Sequence, residues 1–195
     1  MTKVMETTVY QFDELNEDAK EKAREWWREG GMDYEWYDAV YEDAKAIGEL
    51  MGIEIDKIYF SGFSSQGDGA CFEGSYAYAK SSVKAVIEYA PQDSELHRIV
   101  KALAAIQKLN FYQLTATVKH SGHYYHEFCT NIDAQRADDS FATEGLDELK
   151  ELLRDFMHWI YRQLETEYDY LNSDEQVDET IRINEYTFTE DGNRF

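Results

Sequence analysis

The stretch IEIDKIYF-SGFSSQGDG-ACFEGSYAY, residues 53–78, decides how this chain is read. Its outer runs, 53–60 and 70–78, are rich in β-branched and aromatic residues, the composition of strands. Between them the segment Ser61–Phe72 carries Gly62, Gly67 and Gly69. Glycine permits left-handed backbone and close approach of another group. Ser64, Ser65, Gln66 and Asp68 add short hydrogen-bonding arms. Two readings stand side by side: a ligand- or partner-binding loop carried on a sheet, with those four residues as contacts, and a long hairpin connection that needs glycine for its turns. The segment is not a phosphate fingerprint, because it lacks a Gly-Lys-Ser/Thr ending and a strand follows it. In the second strand Phe72, Gly74, Tyr76 and Tyr78 share one face, and Gly74 marks a bulge or a close packing contact.

Upstream, residues 13–30 predict a helix with Leu15, Ala19, Ala23 and Trp26 or Trp27 on one face. Acids crowd its first turns and Gly30-Gly31 stops it. A second helix is predicted over 33–51, with Asp33 as cap, Trp36, Val40, Ala44, Ile47 and Met51 as its apolar face, and Gly52 in the left-handed position after its end. The pair predicts an antiparallel helical hairpin over 13–51 with an acidic outer side. One of Trp26 and Trp27, but not both, is expected to be fully buried.

Downstream, Val83, Val86, Ile87 and Ala90 fit one or two helical turns before the lone Pro91. Residues 94–109 predict a helix capped by Ser94 and ended by Asn110. Residues 111–132 predict a β-hairpin turned by His120-Ser121-Gly122, which sets Val118 opposite Tyr124 and Leu114 opposite Phe128. A long helix is predicted over 146–171, and alternation over 180–189 predicts a terminal strand. The order predicts an α+β fold in a single domain, 1–195: an antiparallel sheet of about four to five strands, centred on 53–132, packed against the helical hairpin and two further long helices.

The chain has 195 residues and a net charge of −21. The charge divides as −8 over residues 1–52, −1 over 53–137 and −12 over 138–195. Direct nucleic-acid or anionic-membrane binding is disfavoured, since both need Lys and Arg. A basic partner is favoured, including proteins that themselves bind nucleic acid. A 15% aromatic content argues against a disordered acidic chain. No apolar run is long enough for a membrane span and the first residues carry no signal-peptide core, so the expected compartment is the cytoplasm.

His120, His123 and His126 are spaced by three, which invites a zinc reading, but residues three apart on a strand point to opposite faces. No metal site and no cofactor are expected. Ser64, Ser65 and Cys71 lie near the glycine-rich loop, yet nothing in the sequence sets a base beside them, and no Gly-x-Ser-x-Gly elbow occurs. Asp68, Glu73 and Glu127 follow no spacing rule for an acid pair. The balance leans away from an enzyme.

The segments Phe12–Leu15 with Ala19–Ala23, Tyr34–Tyr37, Ser61–Phe72, His123–Phe128 and Asn184–Phe188 carry a resemblance over most of the chain. It resembles small acidic proteins of phages and other mobile elements, some loosely labelled antitoxin-like. The resemblance implies a protein that imitates DNA or plugs the basic groove of a host defence protein, as anti-restriction and anti-CRISPR proteins do. The partner-binding residues expected on that reading are Glu21, Glu25, Asp38, Glu42, Asp43, Glu151 and Asp155. An antitoxin-like partner of a toxin, and a small-ligand-binding or hydrolytic domain built on the 61–72 loop, are the alternatives.

Overall fold

A computed structural model of the chain describes residues 6–30, 32, 34–137 and 144–195. In chain order the elements are β1 (Tyr10–Gln11), a 3-10 turn (Phe12–Glu14), α1 (Glu17–Gly30), α2 (Asp38–Met51), β2 (Ile53–Ser61), β3 (Gly69–Ala77), α3 (Ser82–Tyr89), α4 (Ser94–Leu109), β4 (Leu114–His120), β5 (Thr130–Arg136), α5 (Leu146–Leu171), α6 (Asp174–Ile183) and β6 (Thr187–Phe188). The fold is α+β. It is organised as two compact units: Tyr37–Glu165, and a second made from both ends of the chain, Met1–Trp36 with Thr166–Phe195. The two helices expected to form a hairpin belong to different units, α2 packing on β2 and α3, and α1 on α6.

The central unit is built on an antiparallel sheet of order β2-β3-β4-β5. Its seam is β2–β3. A Cβ on Gly74 would lie 1.9 Å from the carbonyl oxygen of Glu54, so no side chain fits. The register slips there, between Ile55 and Lys57, which is the bulge that the interrupted face of β3 foretold. α5 packs on this sheet through Phe156, whose ring meets Phe72 edge-on at 6.1 Å and stacks on Trp159 at 5.6 Å. Buried Gln107 on α4 clamps the start of β4. Its amide donates to Leu114 O at 2.7 Å and accepts from Leu114 N at 3.1 Å. The turn between them holds Phe111 and Tyr112 in the left-handed region.

Several boundaries differ from expectation for local reasons. Asp93, not Ser94, caps α4, accepting from Leu96 N at 2.9 Å. α2 begins at Asp38; the expected cap, Asp33, lies outside the described residues. Residues 82–89 do form a helix. The hairpin of β4 and β5 is not closed by three residues. Val118 pairs with Ile132 and His120 with Thr130, so 121–129 is a nine-residue loop and Tyr124 and Phe128 are not strand partners of Val118 and Leu114. Trp27 is buried and Trp26 half-buried.

The predicted terminal strand over 180–189 is incorrect. Ser173 caps a helix there, accepting from Gln176 N, and Asp174 and Glu175 fill its first turn. Val177 and Ile181, four apart, enter the core, whereas Ile183 is 72% exposed. The helical period therefore wins over the alternation of Ile181 and Ile183. Only Thr187–Phe188 is strand, paired with Tyr10–Gln11. The terminal unit has its own core of Phe12, Leu15, Ala19, Ala23, Trp27, Val177, Ile181 and Phe188.

Gly74→Val should destabilise the chain by about 3 kcal/mol or more, because the new side chain must part β2 from β3. Ser75→Ala, one residue on, should change stability by less than about 1 kcal/mol. Urea unfolding of the two variants checks this.

Candidate functional site

In an antiparallel sheet of this order the β2–β3 and β4–β5 loops emerge at the same end. Asp68 folds the first loop. Its Oδ2 accepts from the backbone N–H of Ser64 at 2.9 Å and of Ser65 at 2.7 Å. The Tyr161 hydroxyl of α5 donates to Gly62 O at 3.2 Å, and the Phe63 ring packs on Tyr161 at 5.5 Å. Gly67 sits in the left-handed region, and a Cβ there would come 2.8 Å from the Tyr124 ring. A Cβ on Gly69 would come 2.6 Å from the Cα of His126. The second loop therefore lies directly on the glycines of the first.

The second loop is closed by Ser121 N–H to Cys129 O and Cys129 N–H to His126 O, both 2.8 Å, and by the Thr130 hydroxyl donating to Glu127 O at 2.7 Å. Glu73 of β3 ties the loop base to the sheet. It accepts from Tyr59 Oη at 2.9 Å and from the backbone N–H of His120 at 3.1 Å. The Tyr59 hydroxyl, then the His120 amide, hold the Glu73 carboxyl below the usual carboxylate range. The Tyr59 ring stacks on His120 at 4.7 Å and Tyr125 at 5.5 Å, with Lys57 Nζ 4.4 Å from its centroid.

Together the loops enclose an open cleft of about 500 Å³ lined by Gln66, Gly67, Asp68, Tyr124, His126, Glu127 and Phe128. Of the four expected loop contacts, Gln66 and Asp68 line it. Ser64 and Ser65 are exposed beside it, with their amides turned to Asp68. Tyr124 and Phe128 are not among the residues that the sequence offers for chemistry, whereas Glu127 is offered with Asp68 and Glu73 as an acid pair that no spacing rule supports, and it lines the cleft with Asp68. The run Tyr124, His126, Phe128 reads as one face of a strand, and its only contrary signal is the density of His and Glu around it.

The histidines do not converge. His120 Nε2 donates to Tyr124 O at 2.9 Å. His126 Nδ1 accepts from Phe128 N–H at 3.2 Å, which places the ring proton on Nε2, 3.4 Å from Cys129 Sγ. An imidazole donating toward the sulfur is not disposed to take the thiol proton, so the pair lacks the geometry of a nucleophile and its base. Burial pushes the Cys71 thiol up to about 12, keeping it protonated. Among the described residues no cluster of three His, Cys, Asp or Glu side chains is placed to hold a metal ion.

The seven acids expected at a partner surface divide between the units, Glu21 and Glu25 in the terminal one and the rest in the central one. Four are engaged: Glu21 with Arg24 and Arg28, Asp43 with the Tyr89 hydroxyl, Glu151 with Arg154 and Asp155 with Arg98. Glu25, Asp38 and Glu42 are exposed and make no hydrogen bond or ion pair. Among the described residues, no helix is long and apolar enough to cross a membrane.

Residues 36–174 match the model of a family described as a domain of unknown function, DUF8835. The match spans well over half of the chain, and the protein belongs to that family. It takes in the whole central unit and its cleft, while most of the terminal unit lies outside it. No curated protein and no solved structure matches the chain.

The depressed Glu73 carboxyl stabilises the fold above the usual carboxylate range, and that contribution is lost as pH falls through its lowered value. Tyr59→Phe removes the largest cause, so melting temperature should fall less steeply on acidification than in the parent chain. Thermal melts across the acid range check this.

Proposed function

We propose that this protein is a non-enzymatic acidic binding protein that occupies the basic, nucleic-acid-binding surface of another protein. The observation that carries this reading is the disposition of charge in the terminal unit. Residues 1–36 and 166–195 hold 19 acids against 7 bases. Every described lysine and arginine there is engaged. Arg24 clasps Asp178 with two bonds of 2.7 and 2.8 Å, Arg28 pairs with Asp174 and Glu21, and Arg182 pairs with Asp13. Lys20 and Lys22 reach Glu17 and Asp191. The Arg194 guanidinium lies over Trp26 and Tyr186.

What is left over is anionic. Glu25 and Glu29 on α1, Glu175 and Glu179 on α6, and Glu185 and Glu190 beyond it are exposed and unpaired. Like charges four apart on a helix destabilise it by roughly 0.2–0.5 kcal/mol per pair. Glu25/Glu29 and Glu175/Glu179 are such pairs. A charge distribution of this kind steers association with a cationic surface and disfavours nucleic acid itself. In the setting implied by the resemblance to phage and mobile-element proteins, the partner is a defence protein in the host cytoplasm, and the anti-restriction and anti-CRISPR modes are those of a DNA mimic. The antitoxin-like reading differs in target and not in physics. The hydrolytic reading draws no support from His126 and Cys129, for the reason given above.

The test is capture from host lysate by the tagged full chain, with duplex DNA as competitor. The expected partner is a nucleic-acid-binding protein, lost at high salt and displaced by DNA. The combined variant Glu25→Lys, Glu29→Lys, Glu175→Lys and Glu179→Lys should capture it at least ~10-fold less well. Capture that ignores salt, DNA and these four charges would sink the reading.

A further inference from the structure

We propose that the cleft between the 62–68 and 121–129 loops is a receptor for an arginine side chain of the partner protein. The proposal rests on the reading above, that the partner presents a basic surface, and adds the place where one residue of that surface is held.

The lining fixes the charge of the occupant. It contains two carboxylates, Asp68 and Glu127, and neither lysine nor arginine. Asp68 spends Oδ2 on the loop amides, but Oδ1 accepts no hydrogen bond, and neither does the Glu127 carboxylate. Unused acceptors on residues that line a concave space suit a donor-rich cation and repel an anion.

The aromatic walls then select among cations. Tyr124 is 55% exposed and Phe128 66% exposed, and both border the cleft. Large exposed rings mark contact sites where they cluster. A guanidinium is planar and weakly hydrated, stacks on ring faces, and presents a fork of N–H donors to a carboxylate; an ammonium does none of these as well. Phe128 already accepts such a group: the Arg154 guanidinium lies 5.6 Å from its centroid, its charge offset by Glu151. The ring, 66% exposed, is thus of a kind that a second guanidinium can pack on.

The walls are also preorganised. The contacts of Gly67 with Tyr124 and of Gly69 with His126 fix the two loops against each other, and Asp68 is immobilised by the amides of Ser64 and Ser65. A cation entering the cleft meets groups already in position, which reduces the ordering cost of binding.

The probe is N-acetyl-arginine-amide, titrated into the isotope-labelled full chain, with the neutral citrulline analogue in parallel. Saturable NMR shifts confined to 62–68 and 121–129 are expected with the arginine compound, and at least tenfold weaker binding with citrulline. Glu127→Gln and Tyr124→Ala should each weaken the arginine compound at least tenfold. Glu127 holds Thr130 through its backbone carbonyl alone, so the loop survives the substitution. Equal binding of citrulline, or no saturable shift, overturns the proposal. The two readings fail separately. Partner capture unchanged by Glu127→Gln overturns the arginine receptor and leaves the acidic binding protein standing. A chain that binds the arginine compound but captures no DNA-displaceable partner keeps the receptor and loses the wider reading.

Discussion

The backbone of His126 rests on the Cα of Gly69, with no room between them for a methyl group, and the loop end of the central unit is arranged around that contact. Gly69 is the first residue of β3, so its position is set by the ladder to β2. Whatever fixes the sheet therefore fixes the 121–129 loop as well. Tyr124 over Gly67 repeats the arrangement one step along the loop. Glu73 completes it from below by joining Tyr59 on β2 to the His120 amide on β4. Three strands thus converge on one loop through backbone proximity and one carboxylate, and the rings at 124, 126 and 128 are displayed as a consequence. A nine-residue connection would otherwise fluctuate freely. This one is held because glycine lets backbone approach backbone at 69 and the Tyr124 ring approach backbone at 67.

The terminal unit is held by different means. Its apolar core is small, and a core of that size supplies limited stability. Phe12 meets Phe188 edge-on at 6.5 Å, and Trp26 meets Phe188 at 5.8 Å and Tyr186 at 5.3 Å. The two-bond clasp of Arg24 on Asp178 joins α1 to α6 at a site where each side chain is only 14% exposed. At that depth the pair is screened less than a surface bridge, and removing one partner leaves a poorly solvated charge behind. The segments joined come from opposite ends of the chain, 154 residues apart. Packing and ion pairing together close a unit whose members are distant in sequence.

Where the sequence spoke through local chemistry it was legible. Leu146–Leu171 shows a helical period over its whole length, Gly52 ends α2 in the left-handed region, and the interruption of β3 at Gly74 marks a bulge. Two of the misreadings come from alternation over a few residues. Ile181 and Ile183 alternate as in a strand, but Val177 and Ile181 repeat as in a helix, and Ser173 with its following acids decides between them. Tyr124, His126 and Phe128 also alternate, and arithmetic on that alternation produces a three-residue turn. What excludes it is the glycine contacts of the other loop, two strands away, which no local pattern contains. The glycines of 61–72 were visible from the start. That they serve to seat a second loop, as well as to turn their own, required the sheet order. The cleft was half legible for the same reason: Gln66 and Asp68 lie within the conspicuous segment, whereas Glu127 and the aromatic walls belong to its unforeseen neighbour.

The charge of the terminal unit exceeds what solubility asks of a small domain. A net charge of magnitude ~2–8, with both signs interspersed, keeps such domains soluble, and this unit carries −12 over 66 residues. Its bases are not interspersed to soften the field. Arg24, Arg28 and Arg182 are drawn to the junction of α1, α6 and the 3-10 turn, where Arg24 and Arg182 hold Asp178 and Asp13 at distances of about 3 Å, well inside the ~8 Å screening length of physiological salt. Glu25, Glu29, Glu175 and Glu179 have no such neighbours, and their mutual repulsion acts against the helices that carry them. Salt therefore acts unequally on the two sets. It leaves the poorly exposed Arg24–Asp178 clasp largely intact and weakens the field that the unpaired acids project into solvent. Fold stability and the long-range field are in this way assigned to different charges of the same unit.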